Sequence, residues 1–195
     1  MNDKEKVTVT KKERSLLEKL DKIVRSGRIR AQIRPIMERV RADLVRKPDA
    51  LMAWEPVVLE TFGGLPPTIR SGWVFILRAG SDTGAERHPN SHQRMMSFEA
   101  TGDLQTDAEA APRKIRSESE IEWQSNVLVS DSDAPLERRW ISIPPNVWHR
   151  PVIAKSADWV VLSFHTVPAT ELIEERPGAK RMLYEIERKR RDQAV

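Results

Sequence analysis

Between residues 57 and 166 the apolar residues of this chain fall in short runs, none longer than a single strand, separated by glycine, proline or polar gaps. The runs cover 57–61, 73–78, 93–99, 103–106, 123–129, 138–143, 149–154 and 158–166, and Gly63-Gly64, Pro66-Pro67, Gly80, Gly84, Gly102 and Pro144-Pro145 punctuate them. Such runs are too short for helices that bury a face, and glycine and proline mark turns between them. Strands at near-regular spacing predict an all-β sandwich or closed barrel.

The flanks follow a different period. Leu16, Leu17, Leu20, Ile23 and Val24 recur at helical spacing, and Ser26-Gly27 reads as the stop of that helix. Ile29, Ile33, Ile36, Met37, Val40 and Leu44 form a second stripe, with Pro35 either kinking the helix or opening its last part. Two amphipathic helices have to bury their stripes against the outer face of the barrel or a second copy of the chain. After Pro177-Gly178, Met182, Leu183 and Ile186 predict a short C-terminal helix ending in Arg188-Lys189-Arg190-Arg191. The chain therefore divides into a helical segment over 1–50, a β-barrel over 51–176 and a helical tail over 177–195. Residues 107–122, polar and poor in strand formers, read as an exposed excursion.

Composition narrows the chemistry. The 195 residues include no cysteine, which excludes disulfides, thiolate catalysis and zinc ribbons. The net charge is +4, and residues 1–50 hold 15 Lys or Arg against 8 Asp or Glu. Interleaved acids such as Glu13, Glu18, Asp21, Glu38 and Asp43 make these helices read as solvated mixed-charge faces. Without a helix-turn-helix or zinc-finger signature, no nucleic-acid partner is expected. No run of about 18 apolar residues is present, so no membrane partner is expected either, and a cytoplasmic location is.

The chemistry-bearing residues cluster in two stretches. Gly80 is followed after five residues by Glu86-x-His88, then after three more by His92. Further on, Pro144-Pro145-Asn146-Val147-Trp148-His149 sets another imidazole just past a proline-closed turn. In a strand Glu86, His88 and His92 share parity and point to one side. One carboxylate and three imidazoles suit a divalent transition metal such as Fe2+, Mn2+, Ni2+ or Zn2+ better than Mg2+ or Ca2+.

This pattern resembles the cupin family. Its first motif reads Gly, five residues, His-x-His, three or four residues, Glu, six residues, Gly; its second reads Gly, five residues, Pro-x-Gly, two residues, His, three residues, Asn. Gly80 falls on the first glycine, Glu86 and His88 on the paired histidines, His92 on the glutamate and Glu99 where the family has glycine. Pro144, Asn146 and His149 match the centre of the second motif, with Asn146 replacing a glycine, whereas Arg138 and Ile153 depart from its ends. Asparagine is the other residue that tolerates positive φ, so the turn is kept. The resemblance spans roughly residues 51–176. It implies a mainly β fold, a cupin-type jelly-roll barrel carrying the N-terminal helices and the C-terminal helix. It also implies a metal held by Glu86, His88, His92 and His149, with His and Glu exchanged in the ligand set, and a homodimer.

Several residues carry two readings. Glu86 is a ligand, a general base beside the metal, or a surface ion pair with Arg87. His165, ending the most apolar strand, is an acid/base partner in the same cavity or a core histidine. Arg94, Met96 and Phe98 share the parity of the ligands and would line the substrate cavity, Arg94 as an anchor for a carboxylate or phosphate or as a strand-end cation. Trp148, beside His149, is a substrate wall or a core residue, as is Trp140 on the preceding strand. Together they point to a metal-dependent enzyme acting on a small polar molecule inside the barrel. Fe2+ and a dioxygenase come first, an isomerase or lyase next. The alternative is a non-catalytic module that holds a metal or small ligand and signals through its helices.

Overall fold

The computed structural model describes residues 10–109, 114–179 and 182–183. Two helices lead. Thr10 Oγ1 accepts from the Glu13 amide at 3.2 Å and opens α1 (Lys11–Val24). Ser26 Oγ accepts from the Ile29 amide at 3.4 Å and opens α2 (Gly27–Arg46). In both, a hydroxyl satisfies an amide that the first helical turn leaves without a partner. Ser26-Gly27 therefore starts the second helix rather than closing the first, and Pro35 lies within one continuous α2.

The strands are β1 (Met52–Pro56), β2 (Ser71–Leu77), β3 (Gln93–Glu99), β4 (Thr101–Asp107), β5 (Trp123–Gln124) and β6 (Val127–Val129). A short helix α3 (Leu136–Arg139) precedes β7 (Trp140–Ile143), β8 (His149–Val152), β9 (Trp159–His165), β10 (Ile173–Glu174) and β11 (Met182–Leu183). The expected run over 57–61 is instead a 3-10 turn at Leu59–Phe62, and the strand sits just before it as β1. The run over 123–129 breaks at Asn126, whose side chain donates to the carbonyls of Leu104 and Gln124 and to Thr106 Oγ1. Met182–Leu183 pairs with β10 as a strand, and the rest of the expected C-terminal helix lies outside the described residues.

β1, β2, β9, β3 and β7 make one antiparallel sheet in that order, while β4 pairs with β8 on one side and with β5 and β6 on the other. The two sheets face each other across Leu77, Met95, Trp159 and Val161 from the first and Leu104, Leu128 and Ile153 from the second side. This is a jelly-roll sandwich. The first sheet is covered on its other face too. Leu17, Leu20, Ile29, Ile33, Met37 and Val40 of the helices pack on Val74, Ile76, Met96, Leu162 and Phe164. Every residue of β9 is consequently buried, which accounts for its unbroken apolar run.

The helices are pinned by the acids read from sequence as solvated. Glu13 receives Arg94 Nε at 2.5 Å and Ser142 Oγ at 2.6 Å, and Asp21 receives Trp140 Nε1 at 2.9 Å together with Arg139. Arg78 closes the far end by donating to the carbonyls of Leu44, Lys47 and Ala50. The described part of the 107–122 excursion is likewise anchored, because Ile115 and Ile121 are buried with Ala85 and Trp148 on the outside of the second sheet. Among the described residues no helix is long and apolar enough to cross a membrane.

Gly102 sets the closest approach in the sandwich. A Cβ there would lie 2.1 Å from Trp159 Cε3, and Trp159 is fully buried with its indole donating to Ser97 Oγ at 2.9 Å. Overpacking of this kind costs about 1–3 kcal/mol. Gly102→Ala is expected to lower unfolding stability by roughly that amount, measured by urea denaturation, and an unchanged midpoint would contradict this packing.

Candidate metal centre

Residues 81–87 run beside β8 and bring the two sequence motifs together. Glu86 and His149 exchange both backbone hydrogen bonds, at 2.9 and 2.8 Å, and the Ile153 amide donates to the Ser81 carbonyl at 2.9 Å. Asn146 has φ +68° and donates its amide to the His88 carbonyl at 3.2 Å, so the turn chemistry read from sequence is present. Residues paired this way point their side chains to one face.

A ligand atom from each of Glu86, His88 and His149 can be chosen so that all lie within 4.8 Å of one another. His88 Nδ1 is 3.0 Å from the Ile173 carbonyl oxygen and His149 Nδ1 is 3.1 Å from that of Val147. A carbonyl only accepts, so both Nδ1 atoms carry the proton, and in the neutral rings both Nε2 atoms present lone pairs. His149 Nε2 is buried without a hydrogen-bond partner, 3.5 Å from Glu86 Oε1. Two lone pairs facing each other in a buried site are repulsive until a cation lies between them, and a coordinating metal meets that need.

Glu86 is fixed from its other oxygen. Arg176 Nη2 donates to Oε2 at 2.7 Å, while the same guanidinium reaches the carbonyls of Thr83, Gly84 and Ala85 and its Nε reaches Glu174. Burial acts to raise the Glu86 pKa, but the charge of Arg176 and the neighbouring imidazoles outweigh it and hold the carboxyl well below the usual carboxylate range. Burial, only partly offset by Glu86, pushes the His88 pKa down to about 4, so its ring is neutral at pH 7.

His165 belongs to the cluster. Its ring meets His88 edge-on at 4.9 Å and Trp73 at 5.0 Å. Its nitrogens lie 3.2 Å from Ser91 Oγ and 3.2 Å from Ser163 Oγ, so both are engaged by hydroxyls. Burial lowers its pKa well below the ordinary histidine value.

The other expected site residues lie elsewhere. His92 Nε2 is 2.7 Å from Ser142 Oγ and 3.8 Å from Glu13 Oε1, in the layer between the first sheet and α1, and is not a ligand of this cluster. Arg94 pairs with Glu13 there, and Met96 and Phe98 pack on the helices, with Arg30 over the Phe98 ring. The cause is local. A turn at Pro89-Asn90, held by Asn90 to Glu171 and Ile173, interrupts the alternation, so Gln93 and Met95 face the sandwich interior and 92, 94, 96 and 98 face away. Trp148 points opposite to His149, onto the outer face of the second sheet, beneath the Arg87 guanidinium at 4.5 Å. Trp140 is core, and Arg87 pairs with Glu175 at 2.7 Å rather than with Glu86.

Two residues were not singled out from sequence. Gln93 donates Nε2 to Ser163 Oγ at 3.1 Å and leaves Oε1 buried without a partner. Four residues separate it from His88, the longer of the two spacings the motif allows, and that spacing was the available signal. Arg176 had none, being brought to Glu86 by tertiary contact alone.

The jelly roll, with a Gly-x5 stretch brought beside a Pro-turn-His stretch, has the layout that the cupin resemblance of the sequence implies. No family profile matches the sequence, and no curated protein does. Among solved structures, salicylate 1,2-dioxygenase from Pseudoaminobacter salicylatoxidans, a variant in complex with gentisate, is similar with a TM-score of 0.49 and 17% identity, over 78% of this chain and 37% of that one. The capsular polysaccharide assembling protein CapF from Staphylococcus aureus gives 0.43 and 14%, over 61% and 27%. Pumpkin seed globulin gives 0.44 and 13%, over 66% and 28%. The chain thus spans well under half the length of each.

The histidine shifts fix a pH dependence. The unfolded chain binds a proton at His88 near pH 6.5, whereas the folded chain resists until about 4. Below 6.5 the unfolded state therefore holds more protons, and stability falls as pH drops toward 4, by on the order of 3 kcal/mol from His88 alone. The lowered pKa values of His92 and His165 act in the same direction. Urea midpoints of chelator-treated protein between pH 7.5 and 4 are expected to decline with this slope, less steeply in His88→Asn. A flat profile would contradict a neutral buried cluster.

Proposed function

We propose that this protein is a metal-dependent cupin-type enzyme acting on a small polar molecule held in the barrel, with oxygenase chemistry the first candidate. The observation that carries it is the bare, buried His149 Nε2 facing Glu86 Oε1 beside His88. His88 and His149 would bind a divalent transition metal, Fe2+ first and Mn2+, Ni2+ or Zn2+ next, through Nε2, and Glu86 through Oε1. When bound, such an ion supplies Lewis acidity or redox capacity with coordination positions left open to substrate.

The remaining roles belong to the chain itself. Arg176 keeps Glu86 Oε2 occupied, which limits the carboxylate to one ligand oxygen. The carbonyls of Ile173 and Val147 keep the Nδ1 protons in place and so orient both rings. Gln93 Oε1 offers an acceptor to a hydroxyl or amine of the substrate, and Ser163 ties that amide to His165 beside His88. The rival occupant of the Glu86–His149 gap is a proton, which would make the pair a buried imidazolium–carboxylate contact in a non-catalytic barrel.

Elemental analysis of protein purified without chelator separates the two. Wild type is expected to hold close to one transition-metal ion per chain, His149→Ala to lose it with its circular dichroism retained, and His92→Ala to keep it. Metal-free wild type, or loss in His92→Ala alone, would contradict the proposal.

A further inference from the structure

Outside the barrel, on the face of the second sheet opposite His149, lies a cavity of about 620 Å³. Its wall includes Arg87, Lys114, Arg116, Trp148, Glu175 and Arg176. That volume falls in the range of small-molecule pockets. The wall is constructed rather than left over from loose loops. Gly178 adopts φ +68° and brings its turn so near the 114–116 strap that a Cβ would lie 2.7 Å from the Arg116 carbonyl oxygen, and its amide donates to Ile115 at 3.4 Å. Ile115 itself is buried against Trp148, fixing the strap to the sheet.

The charges of the wall do not cancel. Arg87 is matched by Glu175, and Arg176 by Glu86 and Glu174. Lys114 and Arg116 are exposed and, among the described residues, their side chains have no carboxylate partner. With no counter-ion on these two side chains, the cavity suits an anion with several acceptor oxygens.

We propose that this cavity is a binding site for a small anion bearing a phosphate or carboxylate group, held by Lys114 and Arg116, with the Arg87 and Arg176 guanidiniums behind them. Arg176 makes the site more than a docking patch, because its guanidinium also clamps Glu86. An anion that draws charge from Arg176 loosens that clamp, so occupancy outside the barrel alters how Glu86 presents its oxygen inside it. This coupling rests on Glu86 as a metal ligand; the anion site itself does not.

The test is calorimetric titration of the metal-free wild type with inorganic phosphate and, separately, with succinate, at constant ionic strength against a chloride control. One saturable site per chain for either probe is expected, weakened roughly a hundredfold in the Lys114→Ala/Arg116→Ala double variant, since each lost charge-assisted bond removes about a factor of ten. Both side chains are exposed, so the variant should retain its fold, checked by circular dichroism. Binding by phosphate alone identifies a phosphoryl ligand, and binding by succinate alone a carboxylate. Heat indistinguishable from chloride, or affinity unchanged in the double variant, would overturn the site. The coupling is read separately as a change of at least about threefold in metal affinity at saturating anion, and no change would overturn it. Because the first titration uses metal-free protein, failure of the metal reading leaves its outcome legible.

Discussion

Two backbone hydrogen bonds between Glu86 and His149 hold the candidate site together. They join residues more than sixty positions apart, set the register in which a Gly-x5 stretch meets a proline turn, and by that register put a carboxylate and an imidazole on one face. His88 follows two residues on with its proton tied to Ile173. A slip of one residue would send all three side chains to the outer face, where Arg87 and Trp148 now stack. The positive φ of Asn146 and its bond to His88 secure that register at the turn.

The helices shape the site indirectly. By covering the first sheet they give it two buried faces, and they claim the polar residues His92, Arg94 and Ser142 for their own docking through Glu13. The interior face keeps Gln93, Ser163 and His165, a short hydrogen-bonded row ending against His88. Polar residues on β3 and β9 therefore divide between holding a helix and furnishing a cavity, and only the sheet's facing decides which.

That division explains what sequence could and could not yield. Most barrel strands, the two N-terminal helices and three of the four candidates that the fold brings together were legible because spacing within each motif is local: Glu86 and His88 stand two residues apart on one extended stretch, and His149 follows a turn whose chemistry is written in Pro144 and Asn146. The error at His92 arose where parity was carried through Pro89-Asn90, a turn that resets the phase of β3 and exchanged Gln93 for His92, and Met95 for Arg94, Met96 and Phe98. β3 and β9 are buried on both faces, so apolar pattern gives no hint of which side is interior. Arg176 and the cavity by Trp148 depend on segments distant in sequence, which no local pattern encodes.

Chemically, the centre is a set of donors held in place: two Nδ1 atoms committed to carbonyls, and the His149 Nε2 and one carboxylate oxygen facing each other at 3.5 Å beside His88. Anomalous diffraction from crystals of protein purified without chelator tests this most directly. One peak is expected about 2.0–2.2 Å from His88 Nε2, His149 Nε2 and Glu86 Oε1. No peak there, or a peak on His92 instead, would contradict it.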